Sequence, residues 1–150
     1  SYIEEEFNGD GLSHEAHYYE FANALKIDIS DEFFRETAPA PYLQEYNLRH
    51  LNWLDQQDWE GKLAGFSAYE RLDNIDYHHL ELLVHSLGVT GKGLAFFKVH
   101  NKADHFDRTY DTLVPIWQQQ PDKVKDAFDF IGQHQLTMWQ WLSDFLETSQ

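Results

Sequence analysis

The chain has 150 residues, no cysteine and a formal net charge of -15, from 26 Asp plus Glu against 11 Lys plus Arg. That length is one domain's worth, and so acidic a chain repels phosphate, which argues against nucleic acid and anionic membrane as partners. Without cysteine there are no disulfides and no thiolate metal sites, so His, Asp and Glu are the remaining plausible ligands.

The start, Ser1 through Glu4, Glu5 and Glu6 to Phe7, has no cap before it. It reads like the last turns of a helix whose beginning is missing, so an N-terminally trimmed domain is expected. No signal-peptide pattern and no apolar run of spanning length is present, and a cytoplasmic address is expected. After the turn Asn8-Gly9-Asp10-Gly11, Ser13 is a good cap for a helix from His14 to about Lys26. His14, Tyr18, Phe21, Ala22 and Leu25 share its apolar face. Asp28 begins a second capping sequence, and Pro39 and Pro41 form a break.

A helix follows from Tyr42 to about Asp58, with Tyr42, Leu43, Tyr46, Leu48, Leu51 and Leu54 as apolar positions. Gly61 separates it from a longer one, Lys62 to Leu87, which Gly88 ends. Leu94 to Val114 is the next, disrupted by Pro115, and Pro121 opens the last, which packs through Val124, Ala127, Phe128, Ile131, Leu136, Trp139, Leu142 and Phe145. No segment alternates with the period of a strand. The expected class is a single all-α domain, residues 1–150, with short connections between antiparallel helices and an aromatic-rich core.

Two places put polar groups where they cost something. Glu70 lies within about 40° of Leu63, Phe66, Tyr77 and Val84 on a helical wheel, so its carboxylate projects from an apolar side. An ionised acid there costs several kcal/mol, roughly, unless it is paired, protonated or metal-bound. His100, Asp104 and Asp107 fall within roughly 60° of arc if their segment is one helix, and imidazole plus carboxylate suits iron, manganese or zinc. The trio also reads as a solvated acidic stripe, because Asp111 continues it and the apolar face centres roughly 80° from His100. For His14 the competing reading is a core histidine satisfied by a carbonyl or carboxylate.

Glu4-Glu5-Glu6-Phe7-Asn8-Gly9 through His14, then Tyr69-Glu70, then Phe96-Phe97-Lys98-Val99-His100 through Asp107, resemble the heme-oxygenase-like fold family of TenA, PqqC and CADD. The likeness is nearer to its diiron oxidase and oxygenase branch. It implies an up-down helical bundle lacking its first helices, two iron ions or an iron and manganese pair, and dioxygen chemistry on a small-molecule substrate: an amine, amino acid or fatty acid. The ligands it implies are Glu5 (or Glu6), His14, Glu70, His100, Asp104 and Asp107, the last standing where the family has His. Phe66, Tyr69, Tyr77, Phe96 and Phe97 would form part of the dry wall.

Two other readings share the fold. One is a metal-free, TenA-like binder of a small heterocycle, since a cysteine nucleophile is excluded. The other is a degenerate helical interaction protein. Members of the family often self-associate as homodimers, and Trp53, Trp59, Trp139 and Trp141 are candidates for a subunit contact or for the core.

Overall fold

The computed structural model describes residues 13–30, 40–102 and 105–148, and those residues are all-α, with no strand among them. The elements are α1 (His14–Ala24), α2 (Pro41–Asp55), α3 (Trp59–Ser86), a 3-10 turn (Gly91–Leu94), α4 (Ala95–Lys102), α5 (His105–Gln119) and α6 (Pro121–Thr148). No described helix is long and apolar enough to cross a membrane. The chain divides into two compact units, Ser1–Ala38 with Asp73–Asp104, and Pro39–Leu72 with His105–Gln150.

In the first unit, α1 starts as its sequence dictates. The Ser13 hydroxyl accepts the Ala16 N–H at 3.2 Å, satisfying one of the orphan donors of the first turn. Its end is less conventional, because Lys26 adopts φ +60°, a left-handed conformation more often given to glycine. The Ile27 N–H donates to Ala22 O and the Lys26 N–H to Asn23 O, both at 2.9 Å, which closes the helix in a Schellman arrangement. α1 then packs on the 3-10 turn and α4. The core of this unit is Val84, Val89, Leu94 and Phe97, with Phe21, Leu25, Tyr77, Leu80 and Phe96 against it.

In the second unit, α3 starts at Trp59, three residues before the expected Lys62. Asp58 is the reason: its carboxylate accepts the Gly61 N–H at 3.0 Å and pairs with Lys123 in the first turn of α6. That pairing with the Lys123 ammonium, with the Gly61 N–H behind it, holds the Asp58 carboxyl below the usual carboxylate range. Gly61 therefore lies inside the helix. Ala64, Leu113, Ile116, Val124 and Ala127 form the core here, with Trp53, Leu63, Phe106 and Phe128 packed on it.

Three sequence expectations are corrected. Pro115 does not end its helix: α5 continues to Gln119 because Leu113 and Ile116, on either side of the proline, are both buried in the core. That burial offsets the roughly 3 kcal/mol a helical proline costs. Leu48 and Leu51 are not packing positions, being 59% and 56% exposed. α2 instead turns Tyr42, Tyr46, His50 and Trp53 onto α6, four rings at helical spacing. On α6, Leu136 and Phe145 are about half exposed, whereas His134 is buried.

Candidate functional site

The first unit brings two of the proposed ligands together. His14 opens α1 and His100 lies in the last turn of α4, 86 positions away in sequence, yet their ring centroids are 4.5 Å apart. The cap at Ser13 positions His14, since the first turn begins where the hydroxyl accepts its bond. His100 is held on several sides. Its Nδ1 is 2.7 Å from Phe96 O, and because a carbonyl can only accept, Nδ1 carries the proton. In the neutral ring the lone pair is then on Nε2. Tyr77 of α3 stacks on the same imidazole at 4.2 Å with planes 16° apart.

Aromatic side chains wall this pair. Phe96 lies 4.5 Å from His100, Tyr18 meets Phe96 edge-on at 5.5 Å, and Phe21 meets Phe97 edge-on at 4.8 Å. Edge-to-face packing of this kind adds stabilisation beyond area burial. Burial pushes the Tyr77 hydroxyl well above the usual phenol range, and the nearby Asp73 and Asp76 carboxylates act in the same direction. The phenol is therefore protonated throughout the physiological range.

Of the remaining proposed ligands, some lie outside the described residues and the others belong to the second unit. Glu5, with its alternative Glu6, and Asp104 lie outside the described residues, and with Asp104 goes the helical arc that related His100 to Asp107. Glu70 belongs to the second unit and is 8% exposed, as its place on the apolar side of α3 predicts. Asp107 also belongs to the second unit, exposed in the first turn of α5, where a carboxylate complements the helix dipole. Among the described residues, no group of three or more His, Asp or Glu is placed to hold a metal ion. Of the expected wall, Tyr77 and Phe96 contact the His100 ring and Phe97 packs on Phe96, whereas Tyr69 is hydrogen-bonded to His50 in the second unit and Phe66 is 41% exposed.

Three buried or half-buried histidines escaped the sequence reading. His17 is 1% exposed in α1 and His134 is 2% exposed in α6, and His50 joins a ring ladder on α2. A signal was present for two of them: His17 precedes Phe21 by four, and His134 follows Ile131 by three, so each shares a face with a core residue. Of the tryptophans, Trp53 stacks on Phe130 at 4.6 Å and belongs to the core, whereas Trp59 is 60% exposed. No protein-family model, no curated protein and no solved structure matches this chain.

Proposed function

We propose that the chain is a non-heme iron oxidase or oxygenase of the heme-oxygenase-like kind, acting on a small amine, amino acid or fatty acid. The observation that carries this reading is the pairing of His14 with His100 at 4.5 Å inside an aromatic wall. The pair fits an ion on chemical grounds. Both are imidazoles, a ligand type that suits first-row ions, and together they would hold one. The Nδ1 donation to Phe96 O is also the orienting bond that metal-ligating histidines commonly make.

His14 and His100 would hold one ion, and Glu5, Glu70, Asp104 and Asp107 complete the set for two in the resemblance. Bound iron would supply the electrons for reducing dioxygen. The chain's own residues do the rest. Phe96, backed by Phe97, would shield the His100 imidazole from water, and Tyr77 fixes its plane by stacking.

The test is metal content after aerobic purification with ferrous iron. The intact chain should retain iron and the variants His14→Ala and His100→Ala should lose most of it, while Tyr77→Phe keeps it. Less than about a tenth of an iron per intact chain would sink the reading. A second reading is a metal-free binder of a small heterocycle, for which the rings of Tyr77 and Phe96 beside His100 offer stacking surfaces. It expects thermal stabilisation by a pyrimidine and none by metal ions.

A further inference from the structure

The second unit holds a different kind of histidine cluster. α2 and α6 interleave their rings: Tyr46 stacks on His134 at 3.9 Å with planes 6° apart, His50 lies 5.7 Å from His134, and Trp53 stacks on Phe130. Beside this ladder runs a chain of hydroxyls whose direction can be assigned. Tyr46 donates to Gln135 Oε1 at 2.9 Å, which leaves its oxygen to accept from Tyr69 at 3.2 Å. The Tyr69 oxygen in turn accepts from His50 Nδ1 at 3.1 Å. Every polar group in that run has a partner.

His134 does not. It is 2% exposed, and among the described residues neither Nδ1 nor Nε2 has a hydrogen-bond partner. A neutral imidazole is tolerated here because it packs among rings, stacked on Tyr46 at 3.9 Å and near-parallel to Phe130 at 5.4 Å. A protonated one would carry two N–H donors without acceptors and a charge in a dry slot. The groups facing it offer no relief. α2 presents Arg49 and His50, both of which oppose a positive charge, and the phenol of Tyr46. α3 brings the Tyr69 hydroxyl, already committed to His50, with Glu70 and Arg71 next to it in sequence, and Arg71 lies over the Phe106 ring. α5, which also packs on α6, carries Asp107, Arg108 and Asp111 on exposed positions.

We infer that His134 makes the α2–α6 contact an acid-released latch: the helices hold together only while this imidazole is neutral, and protonating it requires them to part. The reason is geometric: His134 is 2% exposed and neither ring nitrogen has an acceptor among the described residues, so an added proton finds no partner while the helices stay together. Burial, with His50 and Arg49 behind it, accordingly lowers the His134 pKa from the ordinary 6.5 to about 4. The sign follows. An opened His134 binds its proton near the ordinary value and a closed one does not, so closure is fully favoured above about pH 6.5 and is lost progressively as pH falls toward 4. Release would uncover the Tyr46–Tyr69–His50 chain and the apolar faces of Trp53 and Phe130.

Amide exchange of α2 in the intact chain, corrected for intrinsic rates, reads the opening directly. Between pH 7 and pH 5 the opening equilibrium should rise about 20-fold, the ratio proton linkage yields for those two values. In His134→Phe, which keeps a ring in the ladder but has no proton to gain, the rise should fall below about fivefold. His134→Gln, neutral and smaller, serves the same purpose if the phenylalanine does not fit. An undiminished rise in the folded variants overturns the latch. So does a His134 ring that titrates near the ordinary value in the intact protein while α2 stays protected.

Discussion

The two units solve the problem of burying histidine in opposite ways. In the first, His100 gives its Nδ1 proton to its own helix at Phe96 O and is clamped between Tyr77 and His14, so one nitrogen is committed and the other is directed. In the second, the hydrogen bonds go to His50, Tyr69, Tyr46 and Gln135, while His134 is stacked on Tyr46 and, among the described residues, bonded at neither nitrogen. An imidazole that donates a hydrogen bond has a fixed plane and tautomer, whereas an unpartnered buried one is favoured only in its neutral form.

Perturbing one unit at a time sharpens the contrast. The largest effect is expected from Ile131→Ala, because Ile131 is completely buried on α6 in the second unit. A cost of about 2–5 kcal/mol is expected in urea unfolding, with amide protection lost from α2 and α6 while α1 and α4 keep theirs. Equal loss in both would show that the units unfold as one, and the comparison would then describe a single cooperative body.

Gly93→Ala comes next and strikes the first unit. A Cβ there would lie 2.6 Å from that of Ala24 and 2.7 Å from Val89 Cγ1, so α1 must move off the 3-10 turn. The expected cost is about 1–3 kcal/mol, with iron retention falling alongside, because His14 rides on α1. Unchanged retention at that cost would separate the histidine pair from the packing of α1. The smallest effect is a gain. Lys26→Gly relieves the left-handed backbone at the end of α1 and should stabilise by about 0.5–1 kcal/mol in thermal unfolding. A loss instead would mean that the lysine stem makes contacts worth more than the strain.

Much of the helical order was legible in the residues alone. Ser13 starts α1, Pro121 occupies the first turn of α6, and Gly88, at φ +84°, follows the end of α3, whereas Pro41, expected as part of a break, opens α2. Each of these is a local effect that needs no neighbour. The misreadings came where neighbours decide. Apolar periodicity chose Leu48 and Leu51 for the face of α2, but the face was set by rings that interleave with Phe130 and His134 across the contact with α6. Pro115 was read as a stop because its missing N–H is a local cost, whereas Leu113 and Ile116 supply a gain that exists only once α6 is in place.

The candidate site divides along the same line. That His14 and Glu70 lie on apolar sides follows from wheel positions. That His14 meets His100 does not, because periodicity states which way a side chain faces and never which helix it will face. His134 is the sharpest case: its sequence neighbourhood gives it a core position, but its lack of partners depends on Tyr46, His50 and Phe130 arriving together. By itself the sequence determined an acidic, cysteine-free, all-helical chain with its caps and most of its helix limits, since these depend on hydrogen bonds and apolar spacing within a few residues. Only tertiary structure decided which imidazoles are paired, bonded or left bare, because the free energy of a buried polar group depends on atoms brought to it from distant parts of the chain.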